Sequence, residues 1–175
     1  LQLVVATAVL LNQGQLPTPH LVTAFSTEQQ QTPHAPALTP VIQVVNPDNW
    51  QVVMDTMHKT VTDLGGTAHK AFLGAAYDSA GKTGTAHKQE GGRYVNKYVS
   101  SYVGLAPVSD PRVIVAIMVD EPKGGVYYGG LVAAPVFSTI TKSVLTRLNV
   151  QPDAIESTEQ LRKFVAAPSA VGSRL

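Results

Sequence analysis

The chain has 175 residues, enough for one domain with a buried core. Apolar residues make up 44% and charged residues 14%, with a net charge of +1, so the charge balance does not argue for nucleic acid as a partner. The absence of Cys excludes disulfides, thiolate nucleophiles and Cys-ligated zinc.

Residues 1–13 (LQLVVATAVLLNQ) read as a largely buried helix with Gly14 as its C′ residue; Pro17 and Pro19 block its continuation. Its apolar run, Leu3 to Leu11, is too short to cross a bilayer, and no basic segment precedes it as in a signal peptide. The chain opens on Leu1 inside this helix, which predicts further sequence upstream. His20 to Phe25 alternates weakly, as a short strand does. Residues 26–38 (STEQQQTPHAPAL) are polar and contain Pro, which predicts a surface loop. Val41 to Val45 is β-branched and reads as a strand. Asn46 and Pro47 fit the N-cap and first position of a second helix. Trp50, Val53, Met57, Val61 and Leu64 would form its apolar face, and Gly65-Gly66 its end.

The period then changes. Gly81 to His87 reads as a strand, Gln89 to Gly92 as a turn, and Tyr98 to Val108 as a second strand. After a tight turn at Asp110-Pro111, Arg112 to Val119 reads as a third, largely buried strand. Together the three form an antiparallel meander. Residues 123–130 (KGGVYYGG) form a Gly-rich loop. Leu131 to Leu148 follows as a long helix, with Leu131, Val132, Val136, Ile140, Val144 and Leu148 on or near one face. Residues 151–175 read as a flexible tail with one helical turn around Gln160 to Val165. The resulting fold class is α+β, an antiparallel sheet covered by helices.

The chemistry concentrates in Lys82-Thr83-Gly84-Thr85 at the start of the first meander strand. Alternation puts Thr83 and Thr85 on one face and Lys82 and Gly84 on the other. Two hydroxyls on one face can both donate to a carboxylate, and the Lys82 ammonium adds a positive field. Gly84 lets another backbone come close, and the Thr85 N–H can point at a developing oxyanion. An extended peptide ending in a carboxylate would add to such a strand as a further strand. His20, His34, His58, His69 and His87 show no metal-ligand spacing, and no phosphate-cradling glycine loop is present, so neither metal nor cofactor is expected.

K-T-G is one of three motifs of the serine penicillin-binding proteins and class A β-lactamases. A wider stretch, GKTGTAHK…GRYVNKYVSSYVGLAPVSDPRVIVAIMVDEP…YYGGLVAAPVFSTI, resembles the C-terminal half of a class B penicillin-binding protein, and within that class the septal peptidoglycan D,D-transpeptidase. LQLVVATAVLLNQG resembles a helix of the same family, whereas Asn46 to Ala76 is more similar to the elongation-specific sister enzyme. The resemblance implies that residues 1–150 are the C-terminal half of a transpeptidase domain with a penicillin-binding-protein/serine β-lactamase-like fold. It implies that Lys82 serves the proton network and that Thr83 and Thr85 bind the carboxylate of substrate or β-lactam. The Thr85 N–H would be an oxyanion donor, and Tyr127 and Tyr128 would border the site.

The family's nucleophile lies in S-x-x-K and a further element in S-x-N. No S-x-N occurs, and the one S-x-x-K match, Ser79 to Lys82, uses the lysine of K-T-G itself. A nucleophilic serine needs its lysine one helical turn later, which Gly81 and the strand argue against. The chain alone is therefore expected to be inactive, with both motifs and a membrane anchor upstream. Implied partners are peptidoglycan stem peptides, β-lactam antibiotics, the rest of the parent chain and divisome membrane proteins, on the periplasmic side of the inner membrane. A non-catalytic β-lactam sensor or scaffold module is the alternative from another class.

Overall fold

The computed structural model describes residues 1–22, 24–27, 31–33 and 42–154. In chain order its elements are α1 (Gln2–Leu11), β1 (Ala24–Ser26), β2 (Gln31–Pro33), α2 (Pro47–Thr62), a 3-10 turn over His69–Phe72, β3 (Ala80–Glu90), β4 (Arg93–Ala106), β5 (Val113–Asp120) and α3 (Gly129–Arg147). Strands β3, β4 and β5 form one antiparallel sheet in that order, and β1 pairs with β2 in a small second one. The α+β class, an antiparallel meander covered by helices, is the one expected; the helices lie on both of its faces.

The hairpin between β3 and β4 has a local cause. Glu90 pairs with Arg93, so only Gly91 and Gly92 make the turn, both with positive φ. Two consecutive left-handed residues match the twist of the flanking strands, and glycine adopts them without strain. The turn is shorter than the expected Gln89 to Gly92. Accordingly β4 starts at Arg93, earlier than Tyr98.

The two faces of the sheet bury different things. On one, Tyr102 of β4 meets Phe137 of α3 edge-on at 4.8 Å, and Phe72 lies 5.8 Å from each ring. Val61, Ala68, Ala133 and Ala134 complete that cluster. On the other, Ala80 and Leu105 are buried under Met54 and Met57, with Leu10, Leu11 and Trp50 packed alongside. Helix α2 thus runs along the edge of β3 and contributes to both clusters. Residues 150–154 lie against the segment before β3: the Tyr77 hydroxyl donates to the Val150 carbonyl, and Ala154 N–H to the Ala76 carbonyl. Asp153 accepts from Asp78 N–H at 2.7 Å and from the Ser109 hydroxyl at 2.6 Å.

Several expectations change. Helix α1 is not largely buried; Thr7 and Val9 are, while Leu1 and Leu3 are exposed. The strand expected over His20 to Phe25 is confined to Ala24–Ser26, and part of the expected 26–38 loop, Gln31–Pro33, pairs with it. Ladder pairing uses main-chain groups, so polar side chains did not prevent it. Over 42–45 there is only a single bridge, Gln15 to Gln43, in place of a strand. In α2 the buried row is Met54, Met57 and Val61, with Trp50 partly buried. Val53 is turned outward, and Leu64 lies past the helix end, 91% exposed. Strand β5 is covered on the α3 side through Val115 and Ile117, but on the other face only at its start, where Ile114 packs with the Met54 and Leu105 cluster, which leaves Met118 73% exposed. The Gln160 to Val165 turn falls outside the described residues, as do Val41 and most of the 26–38 loop.

The largest change is in α3. Of the expected apolar row, Leu131, Val136, Ile140 and Leu148 are exposed and Val132 and Val144 half-buried. The buried row is Gly129, Gly130, Ala133, Ala134, Phe137, Thr141 and Leu145. Small residues face the sheet because the helix axis approaches it closely at its first turn, and Phe137 fills the space that opens one turn later. Phe137→Ala is expected to cost about 3–5 kcal/mol, whereas Val136→Ala should change stability by about 0.5 kcal/mol or less. Urea unfolding of the two variants checks the order, and a larger loss at Val136 would contradict this facing of α3.

Candidate active site

The site begins with the exposed edge of β3. The Thr60 hydroxyl donates to the Gly81 carbonyl at 2.7 Å from outside the sheet. In an antiparallel strand the N–H and C=O of a residue point the same way, and the direction repeats every second residue. The main-chain groups of Thr83 and Thr85 therefore also face away from β4. The Lys82 ammonium donates to the Thr83 carbonyl at 2.8 Å. The outward Thr85 N–H has no strand partner among the described residues, since β4 is the only neighbour of β3.

Alternation turns Thr83 and Thr85 toward α3, as expected, and Lys82 and Gly84 the other way. Thr85 Oγ1 accepts a hydrogen bond from Gly129 N–H at 3.0 Å. Accepting leaves the hydroxyl hydrogen free to point at another acceptor. Thr83 Oγ1 lies 2.9 Å from Thr67 Oγ1; this pair uses one hydrogen for its mutual bond and keeps one to donate. The N-terminus of α3 adds a partial positive charge beside Thr85. Hydroxyl hydrogens, an unpaired N–H, an ammonium and a helix N-terminus thus converge, an arrangement suited to an anion or a developing negative charge.

The glycines act differently from expectation. A Cβ at Gly84 would lie 2.4 Å from Ser101 Oγ, so this glycine makes room for a β4 side chain. The close backbone approach is made by Gly129, where a Cβ would lie 2.3 Å from the Ser101 carbonyl oxygen and 2.4 Å from that of Gly84. At Gly130 a Cβ would overlap the Thr67 carbonyl oxygen at 1.9 Å. Neither helical position could carry a side chain with α3 seated where it is.

Tyr127 and Tyr128 lie on the loop that leads into α3. The Ser100 hydroxyl donates to the Tyr127 carbonyl. The Tyr127 ring stacks on Tyr98 at 3.8 Å and 8°, and Tyr128 adjoins it at 4.7 Å, more than half exposed. A cavity of about 320 Å³ beside this stack shares Tyr98 and Tyr127 with it but contains none of the K-T-G-T residues; Lys97, Glu121 and Val126 also line it. At the start of the loop Glu121 has φ +48° and pairs with Lys88 at 2.8 Å, Lys97 at 3.7 Å and Lys123 at 3.6 Å. The hydrogen bond from Lys88 holds the Glu121 carboxyl below its ordinary range, and the same bond raises Lys88.

The structure thus brings Lys82, Thr83, Gly84 and Thr85 together with the Tyr127–Tyr128 loop. Sequence reading missed Thr67 and Ser101, which no local motif marks. Ser79 is buried and leads into β3, so it shares no helical turn with Lys82. His58 pairs with Asp78 at 2.8 Å, and His69 Nδ1 lies 2.8 Å from the Val61 carbonyl oxygen; His34 lies outside the described residues. Among the described residues no three His, Asp or Glu gather as for a metal ion, and no helix is long and apolar enough to cross a membrane.

Comparison with known proteins matches residues 1–142 to the penicillin binding protein transpeptidase domain. Stage V sporulation protein D of Bacillus subtilis is 33% identical over 98% of this chain and 27% of that protein. The peptidoglycan D,D-transpeptidase FtsI of Escherichia coli K12 is 37% identical over 71% of this chain and 21% of that protein. The solved transpeptidase domain of Burkholderia pseudomallei penicillin-binding protein 3 superposes with a TM-score of 0.65 and 34% identity, over 88% of this chain and 44% of that one. The chain therefore spans less than half the length of these relatives.

The charge cluster on the loop gives a pH dependence. Glu121 is lowered in the fold, so its contribution is full above about pH 4.3, its unfolded value, and is lost as pH falls through the lower folded value. Lys88 and Lys97 are raised, so theirs is full below about pH 10.4 and is lost as pH rises through the higher folded values. Stability against pH should show both limbs, and Lys88→Met should flatten them. A Lys88→Met profile parallel to the parent's would show that these pairs contribute nothing.

Proposed function

We propose, since this chain belongs to the penicillin-binding-protein transpeptidase family, that it forms the substrate-strand half of a peptidoglycan D,D-transpeptidase. Its residues 1–150 would complete a catalytic domain whose remainder carries the nucleophile, with residues 151–175 as a C-terminal extension. The observation that supports this reading most is the outer edge of β3, with the Thr83 and Thr85 hydroxyls on one side and the Thr85 N–H unpaired along it.

A stem peptide ending in D-Ala-D-Ala lies along this edge as an added strand. Its terminal carboxylate takes hydrogen bonds from Thr83 and Thr85, and the Lys82 ammonium lowers the cost of bringing that charge to the site. A serine oxygen from an S-x-x-K element outside these 175 residues attacks the penultimate carbonyl. The Thr85 N–H stabilises the oxyanion, and the terminal D-Ala leaves with its amine protonated. The amine of a second stem peptide then takes the acyl group, which forms the crosslink and frees the serine. A β-lactam carries a carboxylate and a cyclic amide in the same relation, and the opened ring stays tethered after acylation. Tyr127 and Tyr128 wall the site beside the bound peptide.

We assign the crosslinking to the division septum, on the likeness of residues 81–137 to the septal enzymes. The alternative is elongation, on that of residues 46–76. Either role places the domain on the periplasmic side of the inner membrane, anchored by upstream sequence and working beside membrane proteins of the division or elongation machinery.

The full-length protein should be labelled covalently by a fluorescent penicillin, with the label mapping to a serine outside residues 1–175. Thr85→Val should slow acylation by about 10- to 100-fold, the loss expected for a hydrogen bond to a charged group, and Thr85→Ser should restore most of it. Depletion should give filamentous cells; rounded cells would assign it to elongation. Absence of labelling would favour a non-catalytic module, and a label within these residues would contradict an external nucleophile.

A further inference from the structure

We propose that His87 and Lys88, the two residues after Ala86 on β3, act as a two-sided clamp that positions the 121–128 loop against the K-T-G-T strand. The two residues lie where the ladder is irregular: His87 pairs with Tyr98 and Gln89 with Tyr94, so Lys88 alone stands opposite residues 95–97. Such a bulge bends the hairpin and re-aims the side chains around it.

His87 acts on the far end of the loop through Tyr98. It continues the row of Thr83 and Thr85 on the α3 side of the sheet. Its ring lies 4.5 Å from Tyr98 and 6.4 Å from Tyr94, with Nδ1 3.2 Å from the Val95 carbonyl oxygen. Tyr98 in turn stacks on Tyr127, and Tyr127 adjoins Tyr128. A continuous set of rings therefore runs from β3 to the residue before Gly129. Lys88 holds the near end: its ammonium lies 3.0 Å from the Asp120 carboxylate and 2.8 Å from that of Glu121. Glu121 is left-handed, an unfavourable conformation for a residue with a side chain, and its N–H is bound to the Tyr98 carbonyl.

Between these anchors the loop contains Gly124 and Gly125, both with positive φ, and has little conformational preference of its own. β4 holds it directly through Tyr98, Ser100 and Lys97, and the strand that carries Thr83 and Thr85 adds Lys88 at one end and, at the other, His87 packed against Tyr98. The consequence is mechanical: β3 and the loop move together, so Tyr127 and Tyr128 keep their place beside Thr85. The shifts of Lys88 upward and Glu121 downward accord with both groups being charged in this arrangement. His87 and Lys88 are positioning residues for the site, and the kinetic part of this inference rests on the transpeptidase reading above.

The test uses the full-length protein with 3-fluorotyrosine incorporated and the Tyr127 resonance assigned by Tyr127→Phe. In the parent this resonance should be a single ring-current-shifted line. His87→Ala and Lys88→Met should each move or broaden it while the protein still melts in a single cooperative transition, and His87→Phe and Lys88→Arg should restore it. In the same proteins, penicillin acylation should slow by about tenfold with the first two variants and recover with the second two. The double variant should lose less than the product of the single effects, because both act through one loop. An unchanged Tyr127 resonance in His87→Ala and Lys88→Met would overturn the clamp, as would slowing that the conservative variants do not rescue. If the parent itself is not acylated, the transpeptidase reading fails while the Tyr127 resonance still decides the clamp.

Discussion

The close seating of α3's first turn on the sheet is the constraint on which the rest of this structure depends. It exists only because positions 129 and 130 are glycine; a side chain at either would sit within the van der Waals radii of the Gly84, Ser101 or Thr67 main chain. From that contact follow the Gly129 N–H bond to the Thr85 hydroxyl and the approach of Thr67 to Thr83. The Ser100 hydroxyl also reaches the Tyr127 carbonyl there, which brings the loop over β4. Further along the helix, the same angle of approach sets Phe137 on Tyr102 and Phe72 and turns the branched row of α3 outward. The turn that builds the site and the turn that builds the core belong to one rigid element.

The chemistry of the edge is a product of period-two geometry. Along β3 the side chains alternate between the faces of the sheet, while the main-chain groups alternate between β4 and the open side. Four consecutive residues therefore supply two hydroxyls on one face, an ammonium on the other, and an outward N–H. No single residue is unusual; the convergence comes from the strand. Helix α2 covers the beginning of the edge through the Thr60 bond to the Gly81 carbonyl, and from Thr83 onward the edge has no strand partner among the described residues.

What sequence could show here was what sequence-local physics determines. Lys82 to Thr85, the glycine hairpin, the order of the three strands and the N-terminus of α2 depend on neighbours a few residues apart, and all were legible. The buried face of α3 was not. Leu131, Val136 and Ile140 carry the stronger apolar signal, but a helix that comes this close to a sheet must present Ala133 and Ala134. In α2, too, the buried row includes Met54 and not Val53. Thr67 was illegible for another reason: its partner Thr83 is sixteen residues away, and neither residue carries a pattern that announces the pair. The glycine of K-T-G-T was read as room for another backbone, whereas the space at its Cβ position is filled by the Ser101 side chain from the next strand.

The central claim is that the outer edge of β3, with Thr83, Thr85 and the Thr85 N–H, receives a carboxylate and an acyl oxygen. The most direct measurement is a crystal structure of the full-length protein acylated by benzylpenicillin. The account predicts the ligand antiparallel to β3, its carboxylate within hydrogen-bonding distance of both threonine hydroxyls and its ester carbonyl oxygen on the Thr85 N–H. A ligand bound with its carboxylate away from Thr83 and Thr85, or with its carbonyl oxygen held by other donors, would contradict it.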